Sequence, residues 1–258
     1  MSGSVPFDRA VEYYDQTRGM SEKATREMVG VLGAELAGRG RCLEVGVGTG
    51  LVALPLAEAG VPMVGVDLSA PMLGKLVEKA GGKAPFPLVV ADATRLPLAD
   101  DRFGGAVVRH VLHLVPEWRH VISELIRVVS SGGVVLESRG DIPVVWREAT
   151  DRFKSLAGEP SFVRGLESWQ PGMVDQAFQE QGARRRSLQP IIERVAQSLG
   201  TFLDQMADGL HSWTWEVDEG ARRAAAEEVR AWALERFGSL DPPDAREVTI
   251  QWRAYDLS

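Results

Sequence analysis

A chain of 258 residues, 45% hydrophobic and 25% charged, has apolar material for one large α/β domain, or one domain with a smaller appendage, and leaves no room for long disorder. Its net charge of −7 argues against a protein whose main task is gripping a phosphate backbone, and the one basic run, Arg184 to Arg186, reads as a solvated element edge. The single cysteine, Cys42, sits in an apolar run, so no intramolecular disulfide can form; with no hydrophobic leader and no run near the ~20 residues of a membrane span, the expectation is a soluble, cytoplasmic protein.

Residues 21–38 place Met28, Val31, Leu32 and Leu36 at helical spacing, with Ser21 as cap and Gly38 or Gly40 as stop. Short apolar runs then alternate with helical patterns. "RCLEVGV" reads as a strand and "GLVALPLAEAG" as a helix ending at Gly60. "VPMVGVDLS" and "APMLGKLVEKAGG" repeat the unit, "FPLVVADA" is a third strand and "FGGAVVRHVL" a fourth. "PEWRHVISELIRVVSSGG" reads as a helix and "GVVLESRG" as a fifth strand. Such alternation predicts parallel strands joined by helical crossovers, with ligands at the strands' carboxyl ends.

After Gly140 the rhythm changes. Residues 141–170 carry Trp146, Phe153, Phe162 and Trp169 among charges and read as a helical insertion. "PGMVDQAFQEQGA" is a short helix, and "RRRSLQPIIERV" a sixth strand that Pro190 demotes to an edge or a bulge. "SLGTFLDQMADG" and "DEGARRAAAEEVRAWALERFG" are amphipathic helices; "REVTIQWRAYDL" alternates Val248, Ile250, Trp252 and Ala254 with polar residues, as a strand does. The expected organisation is a lid and first helix at 1–40, a ligand-binding core at 41–140, helical caps at 141–170 and 196–240, and the rest of the sheet domain at 171–195 and 241–258.

"LEVGVGTGL" selects among ligands. A triphosphate loop needs Gly-Lys-Ser/Thr at the helix start, whereas Gly50 is followed by Leu51 and Val52. A dinucleotide turn uses Gly-x-Gly-x-x-Gly, and Leu51 stands where its third glycine belongs. Glu44, two residues before Gly46, would repel a pyrophosphate but suits an ammonium or sulfonium.

These residues resemble the first motif of the class I S-adenosylmethionine-dependent methyltransferases: two apolar residues, an acid, then Gly46-x-Gly48-x-Gly50. "VGVDLSAPML" resembles the second motif, "ADATRLPLADDRFGGAVV" the third and "VVRHVLHLVPEW" the fourth, in order over residues 40–140. The likeness is greatest to the methyltransferase type 11 group that includes quinone-biosynthesis C-methyltransferases. It implies a doubly wound α/β fold: a mostly parallel seven-stranded sheet with the last strand antiparallel, and helical cap insertions. It implies S-adenosylmethionine as co-substrate and a small-molecule acceptor; the charge balance, the absence of a long apolar run and the histidine pattern add the expectation of no nucleic acid, no membrane span and no metal. Residue by residue, it places Glu44 toward the ammonium end and Asp67 on the ribose hydroxyls, with Leu68 and Met72 alongside. Asp92 faces the adenine amino group and Ala93 contributes an amide. Arg109 contributes to the same site, and the N-terminal "EYYDQTRG" is either a lid in which Tyr13 and Tyr14 close over the cofactor and Arg18 reaches its carboxylate, or a helix that packs its aromatics on the core.

Methyl transfer from a sulfonium is an in-line displacement in which alignment does most of the work, so a base is needed only if the acceptor must lose a proton. Arg109, His110 and His113 are candidates at the ligand-facing end of the fourth strand, with His113 the first choice. Arg139, Trp146 and Trp169 are candidates for the acceptor pocket. His110, His113 and His120 lack the cysteines or carboxylates of a metal site, and a single cysteine excludes arsenic methylation. Two other readings remain: an RNA or protein methyltransferase, and a non-catalytic cofactor-binding partner subunit.

Overall fold

The computed structural model describes residues 6–138, 142–158, 166, 171–242 and 247–258. Its strands are β1 (Cys42–Val45), β2 (Met63–Asp67), β3 (Leu88–Val90), β4 (Phe103–Arg109), β5 (Val129–Ser138), β6 (Arg184–Ser187), β7 (Ile191–Arg194), β8 (Glu247–Ile250) and β9 (Arg253–Asp256). Its helices are α1 (Tyr14–Arg18), α2 (Glu22–Leu36), α3 (Ala53–Glu58), α4 (Ala70–Lys79), α5 (Trp118–Val128), α6 (Val144–Ala157), α7 (Pro171–Glu180), α8 (Leu199–Ala207) and α9 (Glu219–Phe237). The chain divides into two compact units: residues 1–140, 164–191 and 250–258, and residues 141–163 and 192–249.

The first unit is built on a seven-stranded sheet in the order β3-β2-β1-β4-β5-β9-β6. β1 pairs in parallel with β2 and β4, β2 with β3, and β4 with β5; β9 runs antiparallel between β5 and β6. This is the doubly wound sheet with its last strand reversed that the sequence predicts. The central strands are apolar on both faces because helices cover both: Cys42, Leu43 and Val45 of β1 are all buried. Burial pushes the Cys42 thiol up to about 11, as for an inert core residue.

The helices start where the sequence supplies caps. Ser21 accepts the Ala24 amide at the head of α2, and Ser69 accepts the Met72 amide at the head of α4. In α5, Trp118, Val121, Ile122, Leu125 and Val128 form one buried stripe in a core shared with Leu43, Val45 and Val108. Each such side chain contributes about 1.5–3 kcal/mol on full burial.

Three boundaries differ from the sequence reading. β5 begins at Val129, before the paired glycines, because Val129 pairs with Phe103 across a register shift. The expected sixth strand is two strands: Pro190 lies between β6 and β7, which enter different sheets. The expected last strand likewise breaks after Ile250 into β8, paired with β7, and β9, in the main sheet. Residues 192–195 and 241–249 therefore belong to the second unit rather than to the sheet domain.

The basic run is consumed by structure. Arg186 donates to both carboxylate oxygens of Asp256 and of Glu35, Arg184 reaches Asp256, and Arg185 reaches Asp175.

The second unit has its own core, formed by α6, α8 and α9. Trp146, Phe153, Phe202, Leu203 and Val229 are buried in it, with Trp146 stacked on Phe202 at 4.5 Å. No helix among the described residues is long and apolar enough to cross a membrane.

Candidate functional site

The carboxyl ends of β1, β2, β3 and β4 open on a cleft in the first unit, and its floor is the glycine turn after β1. Gly46, Gly48 and Gly50 all have left-handed φ, +72°, +51° and +82°. They serve different ends. A Cβ on Gly46 would clash with Val111 Cγ2, and one on Gly50 would strike Leu54 and Leu76 at 2.7–3.0 Å, so these two permit packing beneath and beside the turn. A Cβ on Gly48 would meet nothing nearer than Tyr14 at 3.9 Å and Asp67 at 4.0 Å; it would project into the cleft itself.

Two carboxylates, Asp67 and Asp92, line that space; Glu44, on the strand next to that of Asp67, is buried and does not line it. Glu44 of β1 is buried and accepts the Ala53 amide at the start of α3, while its Oε2 has no hydrogen-bond partner among the described residues. Burial pushes its carboxyl well above the usual range, against the pull of the Ala53 amide and Arg109. Asp67, the last residue of β2, accepts the Gly48 amide at 2.7 Å and the Ser69 amide at 2.8 Å. Burial raises its pKa too, offset in part by those amides. Asp92, beyond β3, turns one oxygen to the Thr94 amide and hydroxyl, both at 2.8 Å. A buried carboxylate oxygen without a donor and a backbone cradle that a methyl group would fill fit a cationic ligand with a ribose.

The N-terminal segment lies over the same cleft. Phe7 and Tyr14 line it, edge to face with centroids 6.0 Å apart. Asp8 accepts the Ser69 hydroxyl at 2.6 Å; Asp15 accepts the Thr49 hydroxyl of the glycine turn and pairs with Lys79 at 2.6 Å. Burial raises the Tyr14 phenol, with Arg18 and Arg109 drawing it down.

Of the residues singled out from sequence, Gly46, Gly48, Asp67, Leu68, Met72 and Asp92 line the cleft, as do Ala93, Arg109 and Tyr14. Others stand elsewhere. Gly50 packs behind the turn, and Arg18 turns a guanidinium nitrogen to the Thr17 carbonyl. His113 meets His110 edge to face, with centroids 6.2 Å apart; the residue that lines the cleft is His110. Trp146 is core of the second unit, and Arg139 and Trp169 lie outside the described residues. Sequence reasoning did not single out Phe7, Val111, Leu114 or Val115; the last three stand within the fourth motif, but apolar side chains carry no chemistry to mark them there. Among the described residues no three His, Cys, Asp or Glu side chains gather as a metal site would require.

A family described as a methyltransferase domain matches residues 43–136, which run from β1 to within β5. A demethylmenaquinone methyltransferase of Clavibacter sepedonicus is 33% identical over 172 residues, 64% of this chain and 69% of that protein. The chain belongs to the class I S-adenosylmethionine-dependent methyltransferases. Its likeness within that class is to the quinone C-methyltransferase group. A phosphatidylethanolamine N-methyltransferase of Cereibacter sphaeroides is 37% identical over 128 residues, 46% of this chain and 62% of that protein, so less than two thirds of that methyltransferase is matched. The crystal structure of the YcgJ protein from Bacillus subtilis shares the fold, with a TM-score of 0.58 and 18% identity over 90% of this chain and 99% of that one.

Proposed function

We infer that this methyltransferase moves a methyl group from S-adenosylmethionine to a small, largely apolar acceptor in the cytoplasm. The observation that carries this reading is the meeting of Asp67 and Asp92 on one cleft floored by Gly48, with the buried Glu44 on the strand beside them. When bound, the co-substrate supplies a methyl group already activated on a positively charged sulfur.

The residues have separate tasks. Glu44, with one oxygen anchored at the head of α3, offers negative charge to the ammonium end. Asp67 orders the turn through Gly48 and keeps lone pairs for the ribose hydroxyls. Asp92 and the Ala93 amide meet the adenine edge, with Leu68 and Met72 beside it. Tyr14 and its segment act as the lid, fastened by Asp8 and Asp15. The turn amides, held by left-handed glycines, bring backbone close to the ligand's tail.

The acceptor side of the wall is Val111, Leu114 and Val115 with Arg109 and His110, an apolar surface carrying few polar groups, as a small-molecule pocket has. Relatives named for demethylmenaquinone and phosphatidylethanolamine methylation support an apolar acceptor. An RNA acceptor is disfavoured by the acidic balance and by the pairing of Arg184, Arg185 and Arg186 with carboxylates.

Calorimetry with S-adenosylmethionine and with NAD tests the cofactor, and preference for NAD would overturn the reading. Methyl-labelled co-substrate offered with a small-molecule extract, and separately with total RNA, tests the acceptor; label confined to RNA would reverse the assignment.

A further inference from the structure

We propose that His110, not His113, takes the proton that the acceptor gives up during methyl transfer. The inference rests on the methyltransferase reading above and adds a residue to it.

His110 follows the last residue of β4, where the chain leaves the sheet. Its φ is +58°, and the only other non-glycine residue with positive φ among the described residues is Asp101, at +55°. A left-handed conformation costs a residue with a Cβ about 1–2 kcal/mol, and such strain gathers at functional sites. Here it is held by the His110 amide, which donates to the Ser138 carbonyl at 3.2 Å and ties the end of β4 to β5. His110 is half-buried and lines the cleft with Arg109 and Val111; His113, also half-buried, does not line it, and the two rings meet edge to face.

The ionisable groups around His110 are suited to other work. Asp67 and Asp92 are engaged by backbone amides, and Arg109 is a permanent cation. Glu44 is anchored on α3, and the buried Tyr14 phenol holds its proton above its ordinary range. Of the groups lining the cleft, imidazole is the one that ordinarily exchanges a proton near neutrality. As the acceptor's electron pair forms the new bond to the methyl carbon, the carbon–sulfur bond breaks with its pair remaining on sulfur. The acceptor's proton passes to the neutral imidazole of His110 and from there to water. Positive charge thus leaves the sulfur and arrives on His110, so the net charge of the cleft is unchanged during the step.

Two measurements test this. The first needs no acceptor: the full-length protein carrying carbon-13 histidine is titrated by NMR with S-adenosylmethionine and with S-adenosylhomocysteine. Sulfonium charge in the same cleft should lower the His110 midpoint by at least about half a pH unit relative to the neutral thioether, while the exposed His120 does not respond. The second uses labelled methyl transfer into small-molecule extract. His110→Asn keeps a residue that tolerates the left-handed turn; it should bind S-adenosylmethionine as the wild type does, yet transfer about 100-fold more slowly near neutral pH, with the acid limb of the pH profile lost. His113→Gln should lose less than about tenfold. A His110 midpoint indifferent to the ligand's charge, or a His110→Asn rate within threefold of wild type, would overturn the proposal. Absence of S-adenosylmethionine binding by the wild type would instead overturn the methyltransferase reading on which it stands.

Discussion

The Gly48 amide donates to the Asp67 carboxylate at 2.7 Å, a hydrogen bond joining residues 19 apart in sequence and tying the end of β2 to the turn after β1. The Asp67 carboxylate also takes the Ser69 amide, so one side chain orders both the cradle and the head of α4. Asp67→Ala leaves both amides without their acceptor. Stability should fall by about 1–3 kcal/mol in urea denaturation. Affinity for S-adenosylmethionine should fall by at least about 100-fold in calorimetry, near 2.8 kcal/mol. Unchanged affinity would remove Asp67 from the binding site.

The glycines of the turn should separate by phenotype. Gly50→Ala pushes a methyl into Leu54 and Leu76 in a left-handed residue, and a loss of about 2–4 kcal/mol in folding stability is expected. Gly48→Ala carries the left-handed cost of about 1–2 kcal/mol, but its methyl enters open cleft. It should fold and bind S-adenosylmethionine at least about tenfold more weakly. Paired denaturation and calorimetry decide; equal stability losses with intact binding in both would contradict the assignment.

Glu44 gives the free protein a pH signature. Burial holds its folded pKa above the unfolded value, so the protonated form favours folding, and that stability is lost as pH rises from the ordinary carboxylate range through the raised folded pKa. Glu44→Gln should flatten this decline. A cationic ligand favours the carboxylate, so S-adenosylmethionine should release a proton on binding across the same window and bind more tightly as pH rises. Calorimetry in two buffers of different ionisation enthalpy measures the proton; identical release from the Gln variant would exclude Glu44 as its source.

Arg186 sets an opposite trend. Its side-chain hydrogen bonds hold the Glu35 and Asp256 carboxyls below their usual range. Depressed folded pKa values contribute stability above the unfolded carboxylate pKa, and that contribution is lost as pH falls through the folded values. Arg186→Met should therefore cost about 1–3 kcal/mol near neutrality and progressively less in acid. Thermal denaturation across acid and neutral pH measures the difference, and an equal cost at both ends would show that packing rather than charge is responsible.

The first half of the fold was legible because its signals are local. A left-handed backbone at Gly46, Gly48 and Gly50 needs glycine wherever it occurs, and a strand buried on both faces reads as an apolar run such as Cys42–Val45. Acids placed immediately after such runs, Asp67 and Asp92, reach one cleft because parallel strands all end on the same side. Order along the chain was therefore enough for the fold class and for most of the residues that line the cleft.

Pairing and side-chain direction were settled only by the folded chain. Val128 ends α5 and Val129 begins β5, a boundary that an unbroken apolar run conceals because partners, not period, draw it. Residues 247–256 alternate as one strand, yet Ile250 and Arg253 enter different sheets with different neighbours. Asp15 meets Lys79 across 64 residues, which no nearby spacing encodes. His110 and His113 are chemically alike and three residues apart; the first, with a positive φ and its amide on the Ser138 carbonyl of the neighbouring strand, lines the cleft, and the second does not. Local sequence specifies which conformations a segment can adopt, whereas contacts with distant strands select the one that brings a residue to the cleft.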